Sequence, residues 1–172
     1  MSIKISTILH KIDLTMAAAK SVAVLLSYLA GFYLTGGFHC ESRYWGAMLA
    51  SIACVVTLQV DLKTSLRQGW LRVLGTFIGA IIATIYLLLF PFSITGFIRT
   101  VFILEIICMI LSIPDNGKMA TMALIVIMLI SQRTPDISPI VNSSLRFLET
   151  VLGAGIGIAI AWLVEVIKSK LT

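Results

Sequence analysis

The chain predicts an all-α, polytopic membrane protein with about six transmembrane helices, arranged as an inverted repeat of two three-helix units. Three observations predict it. Of its 172 residues, 59% are hydrophobic and only 12% are charged, and the mean hydropathy is +1.04. A soluble domain carries roughly 25% charged residues, and this chain has too few polar side chains to cover its own surface in water. Apolar runs near twenty residues recur between polar turns. Finally, Arg72-Val73-Leu74-Gly75-Thr76-Phe77-Ile78-Gly79-Ala80 returns as Arg146-Phe147-Leu148-Glu149-Thr150-Val151-Leu152-Gly153-Ala154. Five of the nine positions are identical, at an offset of 146 − 72 = 74 residues. A match in the same place of two long apolar segments points to internal duplication.

Residues 1–13 alternate apolar and polar. They read either as a short amphipathic helix on the membrane surface or as a frayed terminus, and they lack a cleavable signal pattern. Leu14 to Leu34 is the first span; about twenty residues at 1.5 Å each cross the hydrocarbon. Lys20 lies early in it and either snorkels to the interface or faces the protein interior. A Gly-containing polar turn, residues 35–43, leads to the second span, Tyr44 to Val60, with Tyr44 and Trp45 as interfacial anchors. Residues 61–68 read as a polar loop. The third span runs from Trp70 to Phe90 and Pro91 stops it. The fourth runs from Thr95 to Ile113, with Arg99 near its start and Glu105 in its middle. Pro114-Asp115-Asn116-Gly117 reads as a turn. Lys118 to Ile130 is a short fifth span of about 20 Å. Residues 131–144, with Pro135 and Pro139, read as a loop. Leu145 to Ile167 is the sixth span, before the tail, residues 168–172.

Lys and Arg set the orientation. With six crossings, one side holds Lys4, Lys11, Lys20, Lys63, Arg67, Arg72, Lys118, Lys168 and Lys170, while the other holds Arg43, Arg99, Arg133 and Arg146. Nine against four places both termini in the cytoplasm. The net charge of +5 is absorbed by this asymmetry, and no nucleic-acid partner is expected. Three spans per unit is an odd number, so the halves, residues 14–90 and 95–167, must be inverted. Lys20-Ser21-Val22 and Arg99-Thr100-Val101 echo each other at the starts of the two halves. Such repeats recur in transporters, with the site near the midplane between them.

Gly75 and Gly79, and Gly153 and Gly157, form Gly-x-x-x-Gly rows on helical faces. Their expected role is close helix packing, holding the third and sixth helices either near or directly against each other. Arg72 is different. A guanidinium entering an apolar helix needs a partner or water, and its planar fork suits carboxylates. It reads either as an anion-binding group between the halves or as an interface charge. Arg146 has Glu149 three residues on, a ready local partner; Arg72 has Gly75 there. Glu105 reads as a proton acceptor or as a structural pair with Lys20, Arg99 or a neighbouring helix. Cys40, Cys54 and Cys108 show no metal or redox spacing and read as reduced packing residues. No catalytic constellation, metal cluster or phosphate loop is legible, so neither enzyme activity nor a cofactor or metal is expected.

The aromatic-Trp opening Tyr44-Trp45-Gly46-Ala47, a polar loop, and then Arg72-x-x-Gly75-Thr76-x-x-Gly79-Ala80 resembles the fusaric-acid-resistance superfamily, which includes bacterial aromatic acid exporters. With the second copy, the resemblance covers most of the chain. It implies a six-helix domain that dimerises and moves organic anions out of the cytoplasm, with Arg72 and Arg146 among the anion-facing positions. Many members carry a cytoplasmic domain after the six helices, where this sequence stops at Thr172. The resulting expectation is an inner-membrane exporter or permease of small organic anions, working as a homodimer in the lipid bilayer. Arg72, Arg146, Thr76, Thr150 and Trp45 are its candidate substrate-binding residues and Glu105 its proton-coupling candidate. A passive anion channel and a non-transporting scaffold subunit are the alternatives.

Overall fold

A computed structural model describes residues 14–110 and 114–171, and all of its regular structure is helical. Helix α1 is Leu14–Phe38, α2 Arg43–Thr57, α3 Leu62–Leu89, α4 Ile94–Ile110, α5 Pro114–Arg133 and α6 Pro139–Leu171, with a short 3-10 turn at Cys40–Ser42. The N-terminal segment, residues 1–13, lies outside the described residues. By length and composition α1, α3 and α6 can each cross a membrane. At 15 and 17 residues, α2 and α4 are shorter, about 22 and 25 Å at the helical rise. Large apolar side chains such as Leu25, Phe102 and Trp162 point outward. Exposed apolar surface on this scale fits a lipid surrounding.

Polar residues that read as loops are, in three places, helix. Residues 62–68 form the first two turns of α3, because the Asp61 carboxylate caps the helix by accepting from the Thr64 amide at 2.8 Å. The Pro114–Gly117 stretch opens α5 rather than forming a separate turn, since proline fits a first helical position, where no amide is needed. The loop expected over residues 131–144 shrinks to 134–138, between the end of α5 at Arg133 and the start of α6 at Pro139. There the Ser138 hydroxyl accepts from the Val141 amide at 3.4 Å. Lys168 and Lys170, read as part of the tail, sit in the last turn of α6, where positive charge suits the helix dipole. Lys20 is exposed on α1, which fits the snorkelling reading and not an interior position.

The packing is organised by exchange between the halves. Helix α3 lies against α5 and α6, and α6 lies against α2 and α3; α1 pairs with α2 as α4 pairs with α5. Swapping α1, α2 and α3 for α4, α5 and α6 turns the set of helix contacts into itself. Two apolar cores follow the same rule. One joins α3, α4 and α5 around Ala83, Leu104, Leu124 and Ile127. The other joins α6, α1 and α2 around Ala161, Ala23, Cys54 and Leu58. Each half therefore sends its third helix into the other half's core.

The glycine rows make this exchange possible, and they correct the expectation about their partner. A Cβ on Gly79 would strike the Ala120 carbonyl and the Ala123 side chain of α5; one on Gly153 would strike the Ala50 carbonyl and the Ala53 side chain of α2. The rows thus face α5 and α2, not each other. Helices α3 and α6 meet through larger groups, with the Phe77 and Phe147 rings 5.6 Å apart and the Thr84 hydroxyl donating to Ser143 Oγ at 2.6 Å. The cysteines are free, Cys54 and Cys108 buried and Cys40 exposed.

Candidate functional site

Arg72 stands ten residues into α3, about 15 Å from its start. Its guanidinium is buried at 7% exposure. A helix with Gly69, Gly75 and Gly79 on its packed face lets α5 and α6 close over such a side chain. Nη1 points at two thioethers, Met119 Sδ at 3.4 Å and Met122 Sδ at 3.8 Å. Sulfur is a weak acceptor, and Nε has no partner. Arg72 forms no ion pair with a carboxylate among the described residues.

Arg146 is the repeat's other guanidinium, buried at 2% exposure, and it is held on two sides. Nη1 donates to Glu149 Oε2 at 2.8 Å, and Nε donates to Asn142 Oδ1 at 3.2 Å. Asn142 in turn donates to the Ile127 carbonyl of α5 at 3.2 Å. Glu149 is fully buried, and its Oε1 accepts from the Thr35 hydroxyl of α1 at 2.5 Å. Gly46 of α2 clears the space for that contact, because a Cβ there would lie 2.7 Å from Glu149 Oε1. The remaining nitrogen, Arg146 Nη2, has no partner.

The two arginines meet. A cavity of about 20 Å³ between α2, α3, α5 and α6 is lined by Leu49, Arg72, Thr76, Met122, Ala123, Val126, Arg146 and Thr150. Both Arg-x-x-x-Thr pairs of the duplicated motif thus converge on one point, with room for about one water-sized group. The Thr76 hydroxyl has no partner. The Thr150 hydroxyl is engaged by its own helix, donating to the Arg146 carbonyl at 2.9 Å. Trp45 is apart from the arginines. It lines a cleft of about 320 Å³ between α2 and α5 with Met48, Leu129, Ile130, Gln132 and Arg133, and Val126 lines both cleft and cavity.

Glu105 is elsewhere. It is half-buried on α4 and accepts from the Thr121 hydroxyl of α5 at 2.5 Å, so its partner is neither Lys20 nor Arg99. Four of the five expected substrate-binding residues are thus brought together, the fifth lines a separate cleft that shares only Val126 with their cavity, and the proton-coupling candidate stands outside the cavity. Thr35, Asn142, Met119 and Met122, which surround Glu149 and the two arginines, were not expected. Of these Asn142 had a signal, standing one turn before Arg146 as Gln68 does before Arg72.

A family model described as fusaric acid resistance protein-like matches residues 22–160, a span that includes both copies of the motif. The chain belongs to the fusaric acid resistance protein-like family. Membership makes it a membrane protein of a transporter family, with a transport- or efflux-related role. No curated protein and no solved structure matches the chain.

Proposed function

We propose that this member of the family is an inner-membrane exporter or permease of small organic anions such as aromatic carboxylates. One observation carries the reading: the Arg72 guanidinium is buried with no carboxylate paired to it among the described residues, at a cavity that it shares with Arg146, Thr76 and Thr150. A buried cation without a counter-charge is costly in a membrane-embedded protein, and an anion that enters the cavity removes that cost. The cleft at Trp45 is large enough for an aromatic ring, and its wall of Met48, Leu129 and Ile130 is apolar. A ring in the cleft sends its carboxylate toward the arginines once the Leu49 and Val126 side chains, which line the cavity from α2 and α5, move aside. At about 20 Å³ the cavity has no room for a carboxylate, so this structure is then a contracted state of the cycle.

In this reading all six helices cross the membrane, both termini are cytoplasmic and the halves are inverted. The exchange pattern of helix contacts supports it. The homodimer rests on the resemblance, and light scattering in detergent measures it. Glu105, a carboxyl with a hydroxyl partner and no ion pair among the described residues, is the group that would exchange a proton. The test is uptake of aromatic and aliphatic carboxylates by proteoliposomes, with and without a pH gradient. Gradient-driven flux that falls in Arg72→Ala and loses its gradient dependence in Glu105→Gln supports the proposal. Flux indifferent to both the gradient and Glu105→Gln makes the protein a channel. No flux from folded protein leaves the scaffold.

A further inference from the structure

We infer that Glu149, which does not touch the cavity, sets the charge of the anion the cavity accepts and makes it a site for singly charged anions. The inference rests on the transport reading above and goes beyond it by assigning a valence to the substrate and a residue to that choice.

The count is local. Two positive groups line the cavity, Arg72 and Arg146, and its other lining residues, Leu49, Thr76, Met122, Ala123, Val126 and Thr150, are neutral. Glu149 lies behind Arg146, on the side of Thr35 and Gly46, and neutralises one of the two cations through its 2.8 Å ion pair. One positive charge is left. Three buried polar atoms on lining residues also lack partners: Arg72 Nε, Arg146 Nη2 and Thr76 Oγ1. All three can donate, which suits a group made only of acceptors. A monocarboxylate brings the buried region to neutrality and supplies those acceptors. A dianion leaves it at net −1, a state that a site shielded from water resists.

The asymmetry of the repeat builds this device. Glu149 stands where the first copy has Gly75, and Gly75 is itself fixed by packing, since a Cβ there would strike Met119 and Ala120 of α5. A second carboxylate therefore cannot be accommodated beside Arg72 without moving α5. One arginine stays neutralised and the other stays available. Glu149 is a positioning residue in this scheme: it acts through Arg146 and on the total charge.

The experiment uses benzoate and phthalate, which share a ring and differ by one carboxylate, at a pH where both are fully ionised. Wild-type proteoliposomes are expected to favour benzoate. Glu149→Gln keeps the shape and the contacts to Arg146 and Thr35 but leaves the region at +2. The benzoate-to-phthalate ratio should then fall by about tenfold or more, the scale of one unit charge at close range in a protein interior. Glu149→Asp, which keeps the charge, should retain the wild-type ratio. A purely structural role for Glu149 would lower both fluxes together and leave the ratio alone, and that result overturns the inference while the transport reading stands. Wild-type protein that takes phthalate as readily as benzoate overturns it without any variant. Folded wild-type protein that moves neither anion sinks the transport reading, and this inference with it.

Discussion

The Glu149 carboxylate lies 2.8 Å from the Arg146 guanidinium one turn earlier on α6. On α3 the matching place beside Arg72 is Gly75. Two copies of one motif have therefore reached opposite electrostatic states within a shared cavity. One arginine is held by a carboxylate and an amide, and the other rests against two methionine sulfurs. The difference predicts how the two sites respond to the same change.

Arg146→Met strands Glu149 as a buried charge, so it should cost about 3–5 kcal/mol of stability. The double change Arg146→Met with Glu149→Met removes both charges and should recover most of that loss. Arg72→Met strands no carboxylate and removes an uncompensated cation, so its thermal midpoint in detergent should match or exceed that of the wild type. Thermal unfolding of the four proteins checks this. A larger loss for Arg72→Met than for Arg146→Met would mean that Arg72 has a stabilising partner and that its burial does not signal an anion site.

The glycines of α6 give a graded series on one helix. A Cβ on Gly153 meets the Ala50 carbonyl and comes within 2.9 Å of the Ala53 Cβ, both on α2. On Gly157 it meets the Cys54 carbonyl at 3.0 Å, and on Gly155 it meets nothing within 4 Å. Gly153→Ala should therefore be the most destabilising, by about 1–3 kcal/mol for a contact that cannot relax. Gly157→Ala should cost less. Gly155→Ala should be neutral or gain roughly 0.5–1 kcal/mol from helix propensity. Gly79→Ala should behave like Gly153→Ala, since Ala120 and Ala123 of α5 stand where Ala50 and Ala53 of α2 do. Equal effects along the series would contradict the packing of α6 on α2.

Much of this was legible in the sequence because hydrophobicity and duplication are one-dimensional signals. Apolar runs locate helices such as α1 and α4 to within a few residues, and the repeated Arg-x-x-x-Thr marks two of the four helices that line the cavity. What the sequence hid was direction. A Gly-x-x-x-Gly row says that a backbone comes close and does not say whose, and here the rows of α3 and α6 turn away from each other toward α5 and α2. Polar residues 62–68 read as a loop because their hydropathy is low. They are helix because the Asp61 carboxylate satisfies the first turn, a local bond that hydropathy does not register. Thr35 could not be tied to Glu149 at all: 114 residues separate them, and no local pattern links a hydroxyl on α1 to a carboxylate on α6.

Trp45 tests the division between cleft and cavity. It lines the cleft with Met48 and Leu129 and stands apart from the arginines. Trp45→Ala should weaken the uptake of ring-bearing carboxylates, through a higher KM, and leave short aliphatic carboxylates nearly unaffected. Arg72→Ala should depress both classes. Concentration-dependent uptake of benzoate and propionate by the two variants separates these outcomes, and equal losses for both substrates in Trp45→Ala would remove the cleft from the pathway.

Asp61 carries a pH dependence that stays local to the start of α3. The Thr64 hydroxyl and then the Thr64 amide hold its carboxyl below the usual carboxylate value. A carboxyl whose pKa is depressed by folding stabilises the fold above its unfolded value, and the contribution is lost as the pH falls through the folded value. The first turn of α3 should therefore fray in acid. Protection of the Thr64 and Ser65 amides from hydrogen exchange, taken against the intrinsic rate at each pH, should be high at neutral pH and fall as the pH drops through the carboxylate range. Asp61→Asn keeps a capping oxygen and should abolish that pH dependence, whereas Asp61→Ala should show low protection at every pH. Arg72 lies more than two turns further along the same helix, beyond the reach of a frayed first turn, so anion uptake at neutral pH should be unchanged in both variants. Lost uptake in Asp61→Asn would show that the start of α3 moves with the site instead of merely anchoring it.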